Sequence, residues 1–233
     1  MIALDSAEVL IVGGDSGTWE VYDVRQEKPV RSGSLPFEGA NGGLAFHHPS
    51  GKVVFLTGNR ATSFDPATFR FEVGFGIPSS GATDAPVMLN DGRILVTGGI
   101  TGPGPGLRGT STASVFDPFT GESHIVGSML NARFWHSATR LPSGKVLVAG
   151  GAESCSGNTD NCGLFAPSEI FDPATNTFSA VESMRHPRVF VPGSSEMGTL
   201  LVTGEVFFVG GNAAPPELYI GEMRRSRRRS VRH

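Results

Sequence analysis

The chain has 233 residues, 32 glycines, 16 prolines, two cysteines and a formal charge of −3. That length can bury a sizeable core, and the glycine and proline load favours many short strands over long helices. No run of 18 apolar residues occurs, so no membrane-spanning helix is expected. Before residue 224 there are 13 basic residues against 22 acids, a net −9 that argues against nucleic-acid binding by the folded body.

In chain order the same phrases return. Ile2–Leu4 is a stub of strand, followed by DSAEVLIVGG at 5–14, which has a turn, an apolar run and a glycine pair. EVYDVRQ at 20–26 is a short strand ending in an aromatic and an aspartate. The two phrases recur as HPSGKVVFLTGN (48–59) and SFDPATFRF (63–71), then as LNDGRILVTGG (89–99) and SVFDPFTGE (114–122). They recur again as LPSGKVLVAGG (141–151) and EIFDPATNTF (169–178), and last as LVTGEVFFVGG (201–211) and a degraded ELYIGEM (217–223). The first glycines are Gly13, Gly58, Gly98, Gly150 and Gly210, at intervals of 45, 40, 52 and 60 residues. A third phrase, SMLNARFWHSATRLPSG at 128–144, is echoed from residue 183, and Met129 and Met184 each precede an arginine by four, at Arg133 and Arg188.

The chemistry of each phrase is local. Aspartate caps a turn through its side chain and proline sets φ at the turn's second position. Phe64, Phe116 and Phe171 supply large apolar surface for burial. In the fourth repeat the pattern predicts strands near 136–142, 145–149, 168–172 and 177–182, joined by tight turns into one antiparallel sheet. Such a sheet cannot bury both faces alone, and radial stacking of units covers them.

The aromatic-Asp-Pro turn, the Met-to-Arg spacing and the glycine pair, recurring in order at about 49 residues, resemble the kelch-repeat β-propeller family, including the propeller of the galactose oxidases. The resemblance covers residues 5–222 and implies an all-β propeller of four-stranded blades over 1–223. About five blades are expected, near 1–34, 44–76, 84–130, 134–184 and 194–223. Phe71, His124 and Phe178 stand where the family carries a fourth-strand tryptophan. The fifth repeat lacks a fourth strand, which leaves a sheet edge open to self-association. Residues 224–233 carry six arginines and are expected to be a disordered basic tail.

Ligands of propellers gather on a loop-bearing face. The second-to-third strand connections lengthen at 100–113 and 152–167, which places any specific site over the third and fourth repeats. Cys155 and Cys162 lie in the second of these, and a disulfide closing that short loop is expected, which favours an extracellular or periplasmic setting. No signal peptide is visible before the first repeat. Arg108, Arg133, Trp135, His136, Asp160 and Arg188 are the candidate binding residues. For Arg133, Trp135 and His136 two readings stand: a ligand platform of aromatic and cation, or a brace in which the arginines tie inter-blade loops and His136 bonds a backbone group.

No catalytic residue, metal or cofactor is expected. Two cysteines without clustered histidines make a poor zinc site, and SGNTDN at 156–161 lacks EF-hand spacing. GDSGTW at 14–19 has no matching histidine and aspartate context. The galactose-oxidase resemblance brings a copper radical site built from tyrosines, histidines and a cysteine. Here the only tyrosines, Tyr22 and Tyr219, occupy the repeated aromatic slot. The expected function is therefore a non-enzymatic module that binds a protein or a glycan. A degenerate carbohydrate-active or copper-radical oxidase and a structural fragment of a larger surface protein are the alternatives.

Overall fold

The computed structural model describes residues 1–5, 7–13, 17–36, 44–57, 60–77, 85–101, 106–156, 162–165, 167–189, 198–210 and 215–220. The expected tail at 224–233 and Asp160 lie outside these residues. The described chain is strands and turns with no helix, hence none that is long and apolar enough to cross a membrane.

Four sheets have four strands in simple up-and-down order or its reverse. The first holds Ile2–Ala3, Glu8–Gly13, Thr18–Asp23 and Lys28–Ser34. The second holds Leu44–His47, Val53–Thr57, Arg60–Asp65 and Arg70–Gly76. The third holds Val87–Met88, Ile94–Thr97, Ala113–Phe116 and Ser123–Ile125. The fourth holds Ser137–Arg140, Val146–Ala149, Ser168–Asp172 and Thr177–Val181, within a residue or two of the strands expected from the repeat. A fifth sheet shows three strands among the described residues, Gly198–Leu200, Val206–Phe208 and Glu217–Tyr219. The N-terminal stub pairs inside the first sheet, Ile2 opposite Leu10.

The aspartate turns have a common geometry. Asp23, Asp65, Asp117 and Asp172 each accept from the backbone N–H two residues on, at 2.8–3.0 Å. The residue four beyond each aspartate has positive φ: Glu27, Phe69, Gly121 and Asn176. These amides therefore hold the Asp65 carboxyl below its ordinary value, with Ala67 N–H the largest cause.

The chain divides into two compact units. One comprises Met1–Pro78, Asn90–Arg93 and Phe116–Glu122; the other comprises Ser79–Leu89, Ile94–Val115 and Ser123–His233. In the first unit, Leu10, Trp19, Val21, Val53, Phe55 and Phe64 form one core. Trp19 lies 5.7 Å from Phe64 and 5.8 Å from Phe71 between ring centroids. In the second unit one cluster joins Leu95, Val115, Met129, Val146, Val148 and Phe171. Another joins Leu147, Ile170, Met184, Val206 and Phe208. The run Val146–Ala149 thus sends Val146 and Val148 to one cluster and Leu147 and Ala149 to the other, and both of its faces are covered.

Candidate functional site: a disulfide-locked accessory sheet and the arginines beneath it

The two long connections are not simple loops. Ile100–Thr101 and Leu107–Gly109 form one hairpin; Ala152–Cys155 and Cys162–Leu164 form another. The hairpins join edge to edge, Leu107 opposite Cys155 and Arg108 opposite Ser154, into a further four-stranded sheet. Cys155 and Cys162 face each other across the second hairpin and are bonded, with Cα atoms 4.0 Å apart. The expected disulfide is therefore present, and it is a cross-strand staple.

The inner face of this accessory sheet is apolar. Cys155 and Ala152 pack with Phe134, Trp135 and Val189, and Ile100, Leu107, Cys162 and Leu164 lie against them. Thr101, Arg108, Glu153 and Gly163 are exposed. The Arg108 guanidinium has no ion pair among the described residues. A register shift between Ala152 and Cys155 sets two residues opposite Gly163.

Arg133 lies under this sheet and is fully buried. One guanidinium nitrogen donates to Gly150 O at 2.8 Å and Pro167 O at 2.9 Å; the other reaches Glu169 Oε1 at 2.5 Å. Glu169, also fully buried, accepts from the backbone N–H groups of Leu130 (2.6 Å) and Asn131 (3.1 Å). Arg188 repeats the scheme. It donates to Gly210 O at 2.5 Å and to Pro215 O, and it lies 3.8 Å from Glu217, which accepts from Arg185 N–H at 2.5 Å. The glycine pairs complete the stitch: Gly99 N–H donates to Arg133 O at 3.0 Å and Gly151 N–H donates to Arg188 O at 2.7 Å. A Cβ on Gly98 would lie 2.3 Å from Arg133 O, which is why that position carries glycine.

Arg133 and Arg188 thus have the geometry of a brace. The glutamates that complete it, Glu169 and Glu217, were missed in the sequence. Their signal was there, since each stands two residues after a proline in the strand that ends in the repeated aromatic.

His136 is buried, and its Nε2 lies 2.8 Å from Thr97 Oγ1, so its partner is a side chain rather than the backbone. Trp135 is buried at positive φ. Trp135 Nε1 and His136 Nδ1 have no hydrogen-bond partner among the described residues. Burial first, and then the Arg133 charge, push the His136 pKa down to about 3. The imidazole is therefore neutral in the folded protein while an unfolded histidine protonates near 6.5. This contribution to stability is intact above about pH 6.5 and is lost as pH falls towards about 3, at up to about 1.4 kcal/mol per pH unit. Urea denaturation between pH 7 and 4.5 is expected to show this slope, and His136→Gln is expected to flatten it.

Fold and site together define an all-β repeat protein carrying a covalently fixed lateral sheet. No family model and no curated protein matches the sequence. Among solved structures the chain is similar to a fungal alcohol oxidase of the AA5 family determined in complex with copper. The identity is 16%, the TM-score is 0.55, and the match covers 90% of this chain and 57% of that one. The likeness is one of fold, and the chain spans little more than half the length of that protein.

The donor set here does not fit a copper centre built from tyrosines, histidines and a cysteine. Both cysteines are tied in the disulfide, and no three His, Cys, Asp or Glu side chains converge among the described residues.

Proposed function

We propose that the protein is a kelch-type β-propeller, one repeat domain over residues 1–223, that works as a non-enzymatic binding module. It recognises a protein or a glycan through the face over its third and fourth repeats. The observation that carries this reading is the accessory sheet. The two longest second-to-third strand connections converge there, a disulfide fixes one of them, and Arg108 stands on its exposed side. A rigid platform loses little entropy on binding. Arg108 and Asp160 contact the ligand in this reading, with Trp135 and His136 supporting the platform and Arg133 and Arg188 bracing it. The disulfide suits an oxidising compartment.

Screening the whole chain against immobilised glycans and displayed peptides tests the proposal. Arg108→Ala is expected to weaken the ligand found by about tenfold, or about 1.4 kcal/mol, without moving the melting temperature. Binding that ignores this substitution, or no ligand of either class, overturns the assignment.

Similarity to a copper alcohol oxidase favours a second reading, a degenerate relative of such enzymes. Stoichiometric copper uptake with alcohol-dependent peroxide release would replace the binding proposal with that one. The third reading is a structural fragment of a larger surface protein. A longer reading frame with further repeats would favour it.

A further inference from the structure

The outer face of the accessory sheet differs sharply from its apolar inner face. The two central strands set Arg108 opposite Ser154, and Thr101 on the neighbouring strand lies opposite Arg108. Regular alternation along Ala152–Cys155 would turn Glu153 inward with Cys155. The bulge prevents this. Ala152 and Cys155, which flank it, both pack into the inner cluster, so Glu153 and Ser154 between them lie toward the outside. Glu153 is exposed and Ser154 half-buried, and neither side chain has an ion pair or hydrogen bond among the described residues. Thr101 Oγ1 donates to Arg108 O at 3.4 Å and keeps its lone pairs for a further donor.

Gly163 ends the row. On the same sheet Gly109 is demanded by packing, since a Cβ there would lie 2.8 Å from Arg133 N. Gly163 is not. Its φ lies outside the left-handed region, and a Cβ there would meet only Ser154, its O at 3.8 Å and its Oγ at 3.9 Å, which is ordinary contact. Glycine inside a strand lowers stability. Where the backbone does not require it, it marks a place of close approach. Here it leaves Ser154 uncovered on that side.

Thr101, Arg108, Ser154 and Gly163 thus form a line across four strands, three inter-strand spacings of about 4.8 Å, with Glu153 beside it. The line offers a dedicated donor in Arg108, a dedicated acceptor in Glu153 and two hydroxyls that serve as either. An anion at Arg108 meets Glu153 and a chain that carries −9 before residue 224; a cation at Glu153 meets Arg108. Among the described residues no exposed large hydrophobic side chain lies on this sheet, so a protein partner finds no apolar anchor there. The complementary ligand is uncharged, and its groups each donate and accept side by side. Given the reading of this sheet as a binding face, on which the inference rests, we propose that its ligand is a stretch of a linear, uncharged polysaccharide laid across the strands. Neighbouring ring hydroxyls donate to Glu153 and Ser154 and accept from Arg108.

The probes are cellohexaose, xylohexaose and mannohexaose, with hexagalacturonate as the charged control, titrated calorimetrically into the whole chain. At least one neutral hexasaccharide is expected to bind saturably, and about tenfold more tightly than hexagalacturonate. Glu153→Gln is expected to weaken the neutral ligand about threefold, because a charged acceptor becomes a neutral one, and to narrow the gap to hexagalacturonate. Gly163→Leu, whose Cβ the backbone accommodates, is expected to cover Ser154 and weaken binding at least about tenfold with the melting temperature unchanged. Absence of saturable binding by all three neutral hexasaccharides overturns the proposal. Tighter binding of hexagalacturonate than of each of them also overturns it, as does binding that neither variant diminishes. A peptide held through Arg108 while the neutral hexasaccharides fail overturns the polysaccharide assignment and leaves the sheet as a binding face; failure of every ligand class removes both.

Discussion

Arg133→Met is expected to cost about 3–5 kcal/mol of stability, the range for breaking a buried pair by removing one partner. The arginine's aliphatic volume is kept, but the Glu169 carboxylate stays buried without its cation, and the Gly150 and Pro167 carbonyls lose their donor. Equilibrium urea unfolding gives the value. Arg133→Lys separates charge from geometry. A lysine keeps the cation but cannot hold three acceptors in one plane, so a loss of about 1–3 kcal/mol is expected. If both variants unfold with the parent, Arg133 does not brace these repeats. Phe165 lies 5.6 Å from the guanidinium carbon and supplies a further, smaller cation–π contribution lost in the methionine variant.

Replacing both cysteines, Cys155→Ser with Cys162→Ser, is expected to cost about 2–3 kcal/mol in the chain-entropy view of an eight-residue loop. The loss has a location. Cys155 is buried against Phe134, Trp135 and Val189, and its strand carries the edge that pairs with Leu107 and Arg108. Two hydroxyls at these positions bring polar atoms to an apolar face. Peptide-resolved hydrogen exchange should therefore show faster exchange over 100–109 as well as 152–164, while Val146–Ala149 stays protected. Exchange confined to the second hairpin would mean that the two hairpins do not support each other.

The reach of the sequence is clear at particular residues. The turns at Asp23, Asp65, Asp117 and Asp172 were legible because capping and the positive-φ position four residues on are chemistry within five residues of chain. The burial of Phe64, Phe116 and Phe171 was legible because alternation assigns faces without knowing what covers them. The disulfide was legible because both cysteines lie in one short glycine-containing loop. The partners of Arg133 were not. Glu169 is 36 residues away, and nothing near Arg133 marks it as the counter-charge. The burial of Trp135 was equally hidden, since WHS at 135–137 reads as an exposed start of strand until the accessory sheet covers it.

The sequence by itself determined an all-β chain of repeated hairpins, the places of its turns, the residues facing the cores and the covalent staple, all set by interactions between near neighbours. Only the tertiary structure decided that the two long connections pair with each other, Arg108 beside Ser154, and that Arg133 and Arg188 spend their donors on carbonyls and carboxylates of the next repeat. The reason is that a backbone edge or a guanidinium can be satisfied by many acceptors. Which of them it takes depends on what burial brings within 3 Å after distant segments have packed.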